Sequence, residues 1–271
     1  MMPYIIGALL LAALAIWLFR RHSENRHRER LLQAPLPGDA VSTLQRQVAL
    51  YSQLPDNLQQ ALQGCVNRFL YDKVFVGCNG FQVTDEVRLT VAGNACLLVL
   101  QREKKYFPGF ETILIYPETY VAPQISYDGL VETHHDSVRA GESWHRGPVV
   151  LSWSDVEQGL RHEGDGHNVI LHEFAHKLDE ENSTMDGLPV LRNAEAYQAW
   201  AEVFTEEYAA FLLRVEHGTN DVIDEYGAVS AAEFFAVATE SFFEKAHKMQ
   251  RELPALYQQL QQFYGLDPAQ W

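Results

Sequence analysis

The spacing of apolar and polar positions changes several times along the chain. Residues 3–19 (PYIIGALLLAALAIWLF) form an unbroken run of seventeen apolar or small residues, followed at once by arginines. After Pro35 and Pro37, residues 40–70 carry an amphipathic pattern interrupted at Pro55, which predicts two helices. Thr84-Asp85-Glu86 predicts a further helix start, a cap followed by acids at the positive helix end. Three short apolar runs bounded by turn residues, 96–101, 112–116 and 149–153, have the length of strands. Ser154 and Glu157 have capping-box spacing ahead of a short helix. From residue 168 the pattern is helical almost to the end. It predicts helices near 167–179, 193–215 and 230–245, with polar loops at 180–190 and 217–228. Strands first and helices later predict an α+β domain with a small mixed sheet.

The first thirty residues read as a membrane anchor. A seventeen-residue helix is about 25 Å long, within the range of spanning helices, and Trp17 sits near one end, where interfacial aromatics belong. Ala13-Leu14-Ala15 resembles a signal-peptide cleavage site. Signal peptides, however, carry positive charge before the apolar run, and here the charge follows it. That asymmetry predicts an uncleaved inner-membrane anchor with the remaining chain on the cytoplasmic face. The resulting organisation is a transmembrane anchor at 1–19, a basic juxtamembrane linker at 20–44 and a main domain at 45–271.

Composition narrows the function classes. Residues 20–30 hold five arginines and two glutamates, net +3, and 1–19 hold no charge, so residues 31–271 carry −18 of a chain total of −15. A body this acidic repels phosphate backbones and argues against direct nucleic-acid binding. Cys65, Cys78 and Cys96 are an odd number with no CxxC spacing, which disfavours a disulfide scaffold and fits a reducing compartment.

The strongest chemical signal is His172-Glu173-Phe174-Ala175-His176, an H-E-x-x-H pattern. Residues four apart lie about 40° from one another around a helix, close enough for two imidazoles to share a cation. Ile170, Leu171, Phe174, Ala175 and Leu178 fall on the opposite side, an apolar stripe that would seat the helix in a core. Glu173 borders the histidine face, where a carboxylate can reach a nucleophilic water. The competing reading is a pair of ordinary surface histidines. A catalytic zinc normally takes a third protein ligand. Asp179 shares the histidine face but lies about 10 Å from His172 along the axis, so it suits orienting a ligand or a neighbouring loop. Glu233, Glu240 and His217 remain as third-ligand candidates. Spacing does not choose among them, because Ser230 and Glu233 also have capping-box spacing and Glu240 and Glu244 share an acidic helix face. His134, His135, His145, His162 and His167 read as loop residues.

Residues 168–179 (NVILHEFAHKLD) together with 226–240 (YGAVSAAEFFAVATE) resemble the Mlc titration factor A family of zinc peptidases. The same two segments are similar to the catalytic domain of anthrax lethal factor, another gluzincin. Further matches run through 113–117 (ILIYP) and 141–153 (GESWHRGPVVLSW), so the resemblance covers roughly 45–271. It implies a zincin-like fold and one Zn²⁺ per chain held by His172, His176 and Glu233. Glu173 would then be the catalytic carboxylate, and Tyr226 would hydrogen-bond the reacting oxygen. Thermolysin-like gluzincins carry an acid four residues after the ligand glutamate. Val237 stands there in this chain, which leaves Glu240, with Asp179, to support the ligands from behind.

The resemblance further implies hydrolysis of peptides, with aminopeptidase activity favoured, and capture of the glucose repressor Mlc, which would connect the protein to control of sugar phosphotransferase uptake. The strand at 148–153 is expected to line the cleft as an edge to which a peptide could add. The alternative to an enzyme is a regulatory protein-binding module whose metal site is vestigial. Oligomeric state and physiological substrate leave no mark in the sequence.

Overall fold

The computed structural model describes residues 2–104, 106–118, 120–128, 131–139, 141–143, 147–219 and 222–271, with side chains from residue 10 onward except across 119–146. Along the chain come α1 (Met2–Leu31), α2 (Gly38–Gln47), α3 (Asp56–Asp72), β1 (Val74–Gly77), α4 (Asp85–Leu97) and β2 (Thr112–Tyr116). A hairpin, β3 (Tyr120–Asp128) and β4 (Val131–Arg139), leads to β5 (Gly141–Ser143), β6 (Val149–Ser152) and α5 (Trp153–Arg161). The C-terminal part is α6 (Val169–Asp179), α7 (Ala194–Glu216), α8 (Ala231–Glu244), α9 (Ala246–Glu252) and α10 (Pro254–Tyr264).

The expected α+β domain is replaced by a mostly helical one around a small sheet. Four helices precede β2, so strands and helices are not segregated as the sequence pattern implied. The apolar run at 96–101 was expected to be a strand. It is the end of α4 and the turn after it, and residues 96–100 are all buried. A short run that is apolar on every side has no periodicity with which to separate a buried helix end from a buried strand. In the sheet, ordered β1-β2-β6-β5, the first three strands are parallel and β5 is antiparallel to β6. The expected cleft edge at 148–153 is therefore an interior strand. β6 pairs with β2 on one side and β5 on the other, and all four of its residues are buried. The edge beside α6 is β5.

The membrane anchor is also corrected: among the described residues no helix is long and apolar enough to cross a membrane. Seventeen apolar residues stand at the lower end of the spanning range, about 25 Å against a hydrocarbon core of about 30 Å. The helix then runs on through the arginines to Leu31 as one element. Leu10, Leu11, Trp17 and Phe19 are exposed, whereas the last turns of α1 and the residues after it dock on α3. Arg28 Nε donates to Asp72 Oδ1 at 2.8 Å, Asn67 Nδ2 donates to the Ala34 carbonyl at 2.7 Å, and Gln63 Oε1 accepts from Leu36 N at 3.1 Å.

Several local expectations hold. The two helices flanking Pro55 are α2 and α3, and Thr84 caps α4 by accepting from Val87 N at 3.2 Å. The short helix α5 opens two residues earlier than the Ser154–Glu157 spacing implied. Ser152 is its cap, and Glu157 accepts instead from Trp153 Nε1. The three C-terminal helices fall within one or two residues of their predicted bounds. None of the three cysteines is in a disulfide.

Two aromatic groups hold the helices that carry the chemistry. Phe174 of α6 packs against Phe69, Phe107 and Phe110 at ring distances of 5.0–5.8 Å. On α8, Phe235 meets Trp200 at 5.7 Å and Phe263 at 5.9 Å, and Phe234 meets Phe204 at 5.9 Å. Such pairs add to the burial term and fix relative orientation. α6 and α8 also pack directly on each other, so each is seated by its apolar stripe while their polar sides meet.

Candidate metal centre

Helix α6 starts at Asn168, whose Oδ1 accepts from Leu171 N at 3.1 Å, a side-chain cap on one of the unpaired first-turn donors. From that start the histidine spacing places His172 Nε2 and His176 Nε2 3.2 Å apart. The third group comes from α8. Glu233 Oε2 lies 3.0 Å from His172 Nε2 and 3.2 Å from His176 Nε2. Both readings of Glu233 turn out to be compatible. Its backbone N–H satisfies the Ser230 cap at 3.2 Å, and its carboxylate turns to the imidazoles rather than back to the cap.

Glu240, seven residues further along α8, lies behind His172. Its Oε1 is 2.6 Å from His172 Nδ1 and its Oε2 accepts from Asn168 N at 2.6 Å. The acidic helix face is turned inward: Glu240 is buried, and Glu244 accepts from Gly164 N and Asn168 Nδ2. His217 takes no part. It ends α7, exposed, with Nδ1 against the Leu213 carbonyl. Glu173 is buried next to His172 and acts on it electrostatically. Tyr226 lies in a short 3₁₀ turn (Glu225–Val229), half-exposed, its ring 5.9 Å from that of His172. Asp224 fixes that turn by accepting from Tyr226 N at 2.7 Å. Asp179 is wholly buried and bonds the loop rather than an imidazole, with Oδ2 accepting from Gly187 N at 2.8 Å.

Electrostatics follow from this crowding. Burial opposes charge on His172, yet the hydrogen bonds to Glu233 and Glu240 outweigh it and raise the imidazole pKa well above its usual value. Burial likewise works against ionised Glu233, and the bonds to His172 and His176 overcome it, holding the carboxyl well below the usual carboxylate range. The group that draws three ligand atoms together is thus one that favours positive charge among them.

The donor set fits a metal. With metal–ligand distances near those of zinc and tetrahedral angles, ligand atoms stand about 3.3 Å apart, close to the three separations here. The Nδ1 of His172 is engaged by a carboxylate, which leaves Nε2 as the ligating end and is the usual arrangement behind a metal-bound histidine. Among the described residues, His172, His176 and Glu233 form the one group of three such side chains with ligand atoms within 4.8 Å of one another.

A family model described as glucose-regulated metallo-peptidase M90 matches residues 22–265. The chain belongs to this metallopeptidase family. It is 42% identical over 267 residues to an uncharacterised protein of Synechocystis sp., covering 97% of each chain. It is 33% identical over 239 residues to Mlc titration factor A of Cronobacter sakazakii, covering 87% of this chain and 88% of that one. The Mlc titration factor A of Escherichia coli O7:K1 is also 33% identical, over 82% of this chain and 84% of its own.

In this M90 chain the remaining histidines stay away from the cluster where they are described. His162 bonds the Gln158 carbonyl of its own helix, and His167 pairs with Asp224 at 3.4 Å. The side chains of His134 and His135 and all of His145 lie outside the described residues. Two contributors were not foreseen. Asn168 acts as cap and as hydrogen-bond hub, which an Asn ahead of an apolar-periodic run could have signalled. Gly187 joins three helices, and no sequence signal marks it beyond its place in a polar loop.

Proposed function

We propose that this protein is a zinc-dependent peptidase, and specifically an aminopeptidase. The observation that carries the reading is the convergence of His172 Nε2, His176 Nε2 and Glu233 Oε2 within 3.2 Å of one another. Zinc bound there supplies a Lewis acid that polarises the scissile carbonyl and acidifies water.

The chain's own groups do the rest. Glu240 holds the His172 ring through Nδ1, so the two Nε2 atoms keep a fixed separation. Glu173 accepts the proton of the attacking water as the oxygen–carbon bond forms. It then delivers that proton to the amine as the carbon–nitrogen bond breaks, which leaves the carboxylate ready for another turnover. Tyr226, beside His172, donates a hydrogen bond to the oxygen on which charge develops, a contribution worth a few kcal/mol when the donor is preorganised. The aminopeptidase assignment follows the family resemblance, with small peptides bearing a free α-amine as substrates.

Glu173→Gln is the decisive variant. It should keep one zinc per chain by metal analysis and lose hydrolysis of amino-acid anilides by at least about a hundredfold. Full activity in this variant would remove Glu173 from the chemistry. Equal cleavage of an N-acetylated anilide would replace the aminopeptidase assignment by an endopeptidase one.

The likeness to proteins called Mlc titration factor A, at 33% identity, supports a second role, binding of an Mlc-type repressor. A pull-down comparing wild type with the His172→Ala variant tests it. Capture by both places binding outside the cleft, and capture by neither removes the role.

A further inference from the structure

Gly187 lies in the loop between α6 and α7, eight residues beyond the last turn of the metal helix, and each side of its peptide is committed to a different helix. Its N–H donates to Asp179 Oδ2 at the end of α6, at 2.8 Å. Its carbonyl accepts from Trp200 Nε1 of α7 at 3.0 Å. Its Cα faces the start of α8, where an added Cβ would stand 2.5 Å from the Ala231 carbonyl oxygen. The residue is also left-handed, at φ +77°. Glycine is therefore required twice, by conformation and by close approach. Ala231 directly follows the cap Ser230, and Glu233 is two residues beyond Ala231, so this contact bears on the turn of α8 that delivers the third ligand.

We propose that Asp179, Gly187 and Trp200 form a clamp that sets the position of Glu233 relative to His176, an inference that rests on the metal-site reading above. At its opposite end α6 is tied to α8 by Glu240, which bonds both His172 and Asn168. At the His176 end, besides the contact of His176 with Glu233 itself, the end of α6 is linked through Asp179 to Gly187, whose Cα abuts the start of α8 at Ala231. Trp200 is buried, stacked on Phe204 at 4.0 Å, and packs against Phe235, two residues after Glu233. The clamp is thus anchored in the same aromatic core that seats α8. These three residues are positioning residues: none belongs to the ligand cluster.

The test uses the full chain and zinc, with dissociation constants from chelator competition at a temperature where every variant is folded. The visible spectrum of the cobalt-substituted protein reports ligand geometry. Gly187→Ala should weaken zinc binding about ten- to a hundredfold, the range found when supports behind a ligand are removed, and should shift the cobalt bands. Trp200→Phe keeps an aromatic ring on Phe204, removes the donor to Gly187 together with part of the indole's volume, and should weaken binding in the same direction; with Phe263→Leu as the comparison for lost core volume, it carries the test alone if Gly187→Ala does not fold. Phe263→Leu loosens the same core at Trp200 and Phe235 while leaving both Gly187 bonds in place, and should weaken binding less than either.

The clamp is overturned if Trp200→Phe and any folded Gly187→Ala bind zinc as wild type does while His172→Ala loses it, or if Phe263→Leu weakens binding as much as they do. A wild type that takes up no zinc, or a His172→Ala variant that keeps it, overturns the metal reading instead.

Discussion

The two ends of α6 are held to α8 by different means. At the start of α6, charged and polar side chains make the connection: Glu240 spans His172 Nδ1 and Asn168 N, and Glu244 takes the Asn168 amide. At its end the connection is backbone and shape, a glycine N–H on Asp179 and a Cα pressed against Ala231. One imidazole is consequently braced by a carboxylate from α8. The other has a buried Nδ1 with no hydrogen-bond partner among the described residues and depends on where the helices place it. The side-chain brace fixes ring orientation, and the backbone contact fixes the distance between elements.

The largest effect expected is loss of the third ligand. Glu233→Ala should reduce zinc affinity by roughly a thousandfold or more, since the binding free energy of such sites is shared among few ligands. Glu240→Ala should leave measurable zinc in the same metal analysis. The reverse outcome would exchange the roles of the two acids and undo the contrast between ligand and brace.

Glu240→Gln sharpens the comparison at the His172 end. The carboxylate accepts two hydrogen bonds, from an imidazole N–H and a backbone N–H, whereas a glutamine offers one acceptor oxygen and must turn its NH₂ toward a donor. One bond is lost, and zinc affinity should fall about ten- to a hundredfold by chelator competition. Unchanged affinity would mean that the ring is held by packing alone.

The two ends also differ in how far the sequence discloses them. Helix α6, its histidine face and the approach of a later acid were visible because imidazoles four apart and an apolar stripe opposite them are periodic facts. Glu240 and Glu244 were visible as a face, but whether that face was wet or inward depended on where α8 docks, which periodicity does not encode. Gly187 was not legible at all. Its role lies in a close approach between segments more than forty residues apart. The run at 96–101 failed for a related reason, since α4 is buried nearly all round and its pattern has no period to read. The apolar run at 3–19 has the hydrophobicity of an anchor, but among the described residues no helix is long and apolar enough to cross a membrane.

Removing the cap tests whether the side-chain end is also the stiffer one. Asn168→Ala deletes the Leu171 cap and the donor to Asn94 and Glu244, which together cost about 2 kcal/mol. For a chain of this size that is a fall in Tm of several degrees in a thermal melt. Amide exchange should accelerate first in the opening turn of α6. Acceleration centred instead on residues 180–190 would show that the backbone end yields before the capped one.

The smallest effect concerns the charge of Asp179. Burial raises its pKa from 3.8 to about 6, partly offset by the Gly187 N–H, and its position at the negative end of α6 acts in the same direction as burial. The folded state therefore holds a proton that the unfolded chain has already released between these values. The stability this contributes is complete below about pH 4 and is lost as pH rises through about 6. Asp179→Asn keeps an oxygen acceptor for Gly187 and has no charge to bury. Its stability relative to wild type should rise across that window and then level off. Denaturant melts at pH 4, 5, 6 and 7 measure the difference directly. A constant offset would mean that Asp179 is ionised in the folded protein throughout, and that the Gly187 bond is stronger than its 2.8 Å length alone implies.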